Sequence, residues 1–206
     1  MVRLKTSVYR DSVTWAKELI RVGMVVIDTE TIGFKQPRIC EISIVKCENN
    51  LSEILLNERI DPGAPISAEA TEKHGITDAD VKGCPVITDI WTDILKATSG
   101  FNYLIAYNLP FDERALKESM RACGIRLAFT KSTSRNGKVW HTGALMQCAM
   151  QAYAKYFGEP RKNGGLKTQK LPAAPNVQPH SASGDCISAI ELIKGMAAET
   201  LPVFGE

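Results

Sequence analysis

The chain of 206 residues is 44% apolar and 23% charged and carries a formal net charge of +2, the balance of an ordinary globular protein long enough to bury a real core. No apolar run approaches the length of a membrane span, and the opening MVRLKTSVYRDS has no apolar leader, so the expectation is a cytoplasmic protein that is neither membrane-bound nor secreted. With so little net charge, any nucleic-acid-binding surface must be local.

Asp11 is placed to cap a helix over 11–21, ended by Gly23. Residues 24–28 form a continuous apolar run closed by an acid, which predicts a central strand. Two more strands are predicted over 38–47 and 51–60, joined by a hairpin turn at Glu48-Asn49-Asn50, so that three antiparallel strands open the fold. A turn at Asp61-Pro62-Gly63 leads to a short helix over 67–73 and then to His74-Gly75-Ile76-Thr77. A helix over 86–97, a strand over 103–107 and a helix over 111–122 follow, the last with Asp112 and Glu113 in its first turn. Residues 127–139 read as a basic hairpin turning at Asn136-Gly137, and 141–156 as a long helix. Residues 159–179, with Gly164-Gly165 and four prolines, read as loop with one helical turn around 166–170; a final helix is predicted over 185–198. Strands first, then helices interleaved with further β structure, predict one α/β domain over 1–206, its core about 22–198, around a sheet of mixed direction. The six cysteines form no CxxC pair, and all but Cys84 lie in apolar-patterned stretches, which predicts reduced, mostly buried thiols and no zinc cluster.

Four acids stand out because each is joined to an apolar stretch. Asp28 and Glu30 are two apart at a strand end, where period-two geometry puts both on one face. Carboxylates so close repel one another unless a cation bridges them. Asp112 follows a strand through Asn108, Leu109, Pro110 and Phe111; Asp185 opens the last helix, five residues after His180. Taken singly, each acid reads better as a solvated strand end (Asp28, Glu30) or a helix N-terminal residue (Asp112, Asp185) than as a metal ligand. Together they compose a cage for divalent cations beside a histidine suited to proton transfer, which points to metal-dependent phosphodiester cleavage. His74 reads as a turn histidine with local bonds, and His141 as a structural residue on a helix.

The segments DTETIGF, AYNLPFDERAL and HSASGD resemble, in order and spacing, the three motifs of the DEDDh (DnaQ-like) 3′-to-5′ exonucleases, and RICEISIV and EKHGIT are similar to that family's second strand and its HGIT box. LKTQKLP with the short loop to HSASGDC most resembles the exonuclease X branch. The pattern departs at Tyr107, where the family has His, at Ile32 in place of Thr, and at Ser181 in place of Arg.

The resemblance implies a ribonuclease H-like fold with a mixed five-stranded sheet flanked by helices. It implies two Mg²⁺ (or Mn²⁺) ions, one held by Asp28, Glu30 and Asp185 and a second bridged by Asp28 with Asp112 acting through water, and His180 as the base. The backbone around Thr31 and Ile32, and the side chains of Phe34 and Asn108, are then the expected substrate contacts, with Phe34 stacking on a base. The partner is the 3′ end of DNA. RNA trimming, or a proofreading subunit bound to a polymerase, are alternatives, and homodimerisation is open.

Overall fold

The computed structural model describes residues 6–131 and 138–204. Helix α1 (Ser7–Val22) is capped by the Thr6 hydroxyl, which accepts the Tyr9 N–H, and stops at Gly23 with φ 82°. The expected cap, Asp11, lies inside this helix, because Thr6 offers an equivalent oxygen one turn earlier. Strands β1 (Met24–Thr31), β2 (Ile39–Glu48) and β3 (Leu51–Arg59) follow. Asn49 and Asn50 have φ of 51° and 64°, the left-handed pair that a two-residue hairpin turn requires. Helices α2 (Ala68–His74), α3 (Asp78–Val81) and α4 (Trp91–Ala97) lead to β4 (Tyr103–Ala106) and α5 (Leu109–Ala122). Short strands β5 (Thr130–Lys131) and β6 (Lys138–Val139) precede β7 (Leu145–Cys148), α6 (Ala149–Phe157) and α7 (Ala182–Ala198).

The strands form one seven-stranded sheet in the order β3-β2-β1-β4-β7-β6-β5. β1 is antiparallel to β2 and parallel to β4, and β4 is parallel to β7. The sheet is thus α/β and mixed, as expected, but two strands larger than the expected five. The fifth strand is β7: residues 141–156 do not form a single helix, because Leu145–Cys148 pair with Tyr103–Ala106 and only then does α6 begin. Leu, Met and Gln favour a helix locally, and a long-range pairing overrides them. The two strands beyond five are the arms of the 127–139 hairpin, which extend the sheet edge; its expected turn at Asn136-Gly137 lies outside the described residues. The helix expected over 86–97 shortens to α4, and the turn expected around 166–170 is replaced by a bridge between Pro160 and Leu166. Among the thiols, Cys40, Cys47 and Cys186 are buried, whereas Cys123 is exposed at the C-cap of α5; all six are free.

The pleat of β1 divides the core. Met24 and Val26 pack with Leu19, Ile190 and Ile193 beneath α1, α6 and α7. Val25 and Ile27 pack with Ile94, Leu116 and Trp140 beneath α4 and α5. Asp28 and Glu30 continue the first series toward α7, and Thr29 continues the second toward α5. β1 and β4 therefore run side by side and deliver their carboxyl ends to one edge, where an open α/β sheet presents its ligand crevice. Among the described residues no helix is long and apolar enough to cross a membrane.

Candidate active site

A cavity of about 660 Å³ opens at this edge. Asp28 and Glu30 reach it from the end of β1 and Asp185 from the first turn of α7, and one oxygen from each lies within 4.8 Å of the others. Asp112, buried in the first turn of α5, lines the same cavity outside that tight trio. Its Oδ1 accepts the Thr29 hydroxyl at 2.9 Å, so the α5-facing side chain of β1 orients the fourth acid. The structure thus brings all four sequence-selected acids to one cavity.

The electrostatics are those of an anionic cluster that Lys73 compensates only in part. Burial pushes the Asp28 carboxyl well above the usual range, and Asp112, Glu30 and Asp185 push it further. Burial raises Glu30 to about 7 against the pull of Lys73, and raises Asp112 to about 7 against the hydrogen bond from Thr29. Asp185 is raised by burial and partly held down by the His180 N–H. An all-oxygen donor set with this excess of negative charge fits hard divalent cations such as Mg²⁺ or Mn²⁺.

His180 is exposed on the cavity wall with φ 59°, one residue ahead of the α7 N-cap Ser181. Its backbone N–H donates to Asp185 Oδ1 at 3.3 Å, so one turn ties the His180 backbone to that carboxylate. Glu41, buried on β2 opposite Glu30, reinforces that turn by accepting the Ala182 N–H at 3.2 Å.

Phe34 is 76% exposed at the rim, its ring centroid 5.2 Å from that of Phe111. Arg114 donates to the Phe34 carbonyl at 3.0 Å. Asn108 sits at the N-cap of α5, makes no capping bond with its side chain and lines the cavity. Thr31 also lines it, and His74 fixes its backbone. The Ile76 N–H donates to His74 Nδ1 at 3.1 Å, which leaves Nε2 to carry the proton and donate to the Thr31 carbonyl at 3.2 Å. The Ile32 side chain packs against Cys40, Ile76 and Val81 and does not line the cavity, which leaves its backbone as the group that would meet a substrate. The register shift between Glu30 and Thr31 breaks the strand's alternation there.

Sequence reasoning passed over Lys73, Glu41 and Tyr107. Lys73, in the last turn of α2, lines the cavity and opposes the charge of Asp28, Glu30 and Asp185. Its position just before His74 was the available signal. Glu41 stood in RICEISIV as an acid inside an otherwise apolar strand, the same anomaly that marks Asp28. In the sequence Tyr107 shows only as a departure from the family pattern.

Residues 25–193 match the exonuclease family. Uncharacterized exonuclease CP81 of Escherichia phage 186 is 31% identical over 193 residues, which span 88% of this chain and 92% of the phage protein. The fold is similar to that of Exonuclease X in complex with 5′ overhanging duplex DNA, with a TM-score of 0.58 at 23% identity over 87% of this chain and 95% of that one. It is also similar to a 3′-exonuclease solved in 3′-end specific recognition of histone mRNA stem-loop, with a TM-score of 0.62 at 12% identity over 87% and 83%.

Proposed function

The chain belongs to the exonuclease family and has a ribonuclease H-like fold; from that premise we propose that it is a DnaQ-like 3′-to-5′ exonuclease that acts on the 3′ end of DNA, single-stranded or on a 3′ overhang, and releases nucleoside 5′-monophosphates. One observation carries the reading: carboxylates from β1 and α7, distant in sequence, converge within 4.8 Å at the wall of a nucleotide-sized cavity.

Two Mg²⁺ or Mn²⁺ ions, when bound, supply charge neutralisation at phosphorus and an activated water. Asp28, Glu30 and Asp185 would hold one, and Asp28 with Asp112 would serve the second. His180 accepts the proton of the attacking water, a task suited to imidazole near neutral pH. Its exposed turn lets the ring move without disturbing packed structure. Phe34, backed by Phe111, offers the terminal base a stacking face, and stacking tolerates any base. Asn108 and the Thr31 backbone brace the terminal nucleotide, and Ile32 contributes only through its main chain.

The test is digestion of 3′-labelled single-stranded DNA, and of RNA of the same sequence, in Mg²⁺. Mononucleotide release from DNA by the wild type, abolished by EDTA and by Asp28→Ala, is the expected result. Faster release from RNA would move the substrate to RNA, and equal release by Asp28→Ala would overturn the assignment of the acids.

A further inference from the structure

One wall of the cavity comes from the irregular segment between α6 and α7, which supplies Lys170, Leu171 and Ala173. The segment is built, despite lacking helix or strand. Its first part folds back on itself: Pro160 bridges Leu166, the Arg161 N–H meets the Gly165 carbonyl at 3.1 Å, and the Lys167 N–H meets the Glu159 carbonyl at 2.8 Å. Glu159 also accepts from Lys167 Nζ at 3.0 Å and from Gln169 Nε2 at 2.9 Å. The stretch 169–174 is then pinned at both ends. The Tyr107 hydroxyl donates to the Gln169 carbonyl at 2.8 Å, and the Ala174 N–H donates to Ser188 Oγ on α7 at 3.0 Å.

Lys170 stands between these pins. It is exposed and lines the cavity, and among the described residues it forms no ion pair. Leu171, next to it, turns inward against the core beneath α1 and α7. Tyr107 is itself fixed from behind: its carbonyl accepts the Met150 N–H at 2.9 Å, so β4 and α6 set the position of the ring. A lysine with no carboxylate partner, on a strap tied to the residue just before Asn108, faces the chamber that holds four acids. Its chemistry suits a polyanion that enters along the wall.

We infer that Tyr107 is a positioning residue, whose hydroxyl holds the 169–174 strap so that Lys170 contacts a backbone phosphate of the substrate strand. The inference rests on the nucleic-acid reading of the site. It also gives a physical reason for a tyrosine at 107: a phenol reaches the Gln169 carbonyl while its ring stays at the edge of the core. Arg161, Lys162 and Lys167 belong to the folded-back part of the segment and are not lining residues of the cavity.

The salt dependence of binding separates this role from a merely structural one. Anisotropy of a fluorescent single-stranded oligonucleotide, measured in EDTA across a salt series, reads the number of phosphate contacts, each worth a slope of about 0.7 in log K against log salt. Lys170→Ala is expected to lower the slope by about 0.7 and to weaken binding about fivefold at 0.1 M salt. Tyr107→Phe, which removes one oxygen and keeps the ring, is expected to lower the slope similarly, and the double variant to match Lys170→Ala. An unchanged slope in Lys170→Ala, or losses from the two variants that simply add, would overturn the inference. Circular dichroism of Tyr107→Phe checks the fold. Cleavage is scored separately: a wild type that binds with these slopes but releases no mononucleotide would sink the nuclease reading and leave the strap intact.

Discussion

Glu41 Oε2 accepts the backbone N–H of Ala182 at 3.2 Å, which joins the strand opposite Glu30 to the first residue of α7. The bond matters because His180 and Asp185 lie on either side of Ala182, so one buried carboxylate sets the place of both. Arg59, across β3, approaches Glu41 to 3.7 Å from the other side. Removing the acceptor leaves an orphan N–H at a buried helix start. Glu41→Ala is expected to lower kcat/KM about 10- to 100-fold, the range typical of residues that orient metal ligands. Glu41→Gln keeps an acceptor and should restore most of that loss. If Gln is as damaging as Ala, the charge and not the hydrogen bond is what β2 contributes.

For the histidine, the choice of variant is dictated by the backbone. His180 has φ 59°, where alanine is strained and asparagine is tolerated. His180→Asn also preserves the backbone N–H that donates to Asp185. The expected result is a fall in kcat of about 10²- to 10⁴-fold, with the Mg²⁺ concentration for half-maximal activity nearly unchanged. A large rise in the Mg²⁺ requirement would assign His180 to holding Asp185 instead of to proton transfer.

Phe34 offers a different separation, between binding and folding. A ring that is 76% exposed contributes little to the core, so Phe34→Ala should leave the melting temperature almost unchanged. Loss of a stacking face costs about 1–3 kcal/mol per base, which is expected as a rise in KM. Phe111→Ala is expected to act in the same direction and to destabilise as well, because that ring is half-buried and supports Phe34. A Phe34→Ala enzyme with wild-type KM would remove the stacking role.

The site was legible wherever chemistry and local geometry coincide. Asp28 and Glu30 share a face because a strand alternates, and that can be read from two residues. Asp112 and Asp185 stand at helix starts that their own segments announce. What was not legible depends on partners far along the chain. Leu145–Cys148 become a strand only because Tyr103–Ala106 lie beside them. Ile32 turns from the cavity because the register shifts at Glu30/Thr31, which alternation alone cannot foresee. Lys73 looks like any exposed helix-end lysine until α2 is placed against β1. The loop over 159–179 reads as punctuation by glycine and proline, yet its folded form depends on Glu159, Gln169 and a tyrosine 62 positions earlier in the chain.

Proton linkage gives a test that needs no substrate. Glu30 and Asp112 have pKa values of about 7 in the folded, metal-free protein, against 4.5 and 3.8 for the free side chains. Between those limits the folded state keeps protons that the unfolded chain has released. Stability therefore falls as pH rises through this window; the cost is absent below about pH 4 and fully developed above about pH 7. In EDTA, the melting temperature is expected to drop between pH 5 and pH 8, by several degrees for a loss on the order of a few kcal/mol. Mg²⁺ should reverse the trend, because cations bind the ionised carboxylates and displace their protons. The gain on adding Mg²⁺ should thus be larger at pH 8 than at pH 5. Asp28→Asn, which removes one negative charge from the cluster, should melt higher than the wild type at pH 8 in EDTA and gain less from Mg²⁺. Scanning fluorimetry over these conditions decides the matter, and a metal-free protein that grows more stable from pH 5 to pH 8 would contradict the only partly compensated charge of the cage.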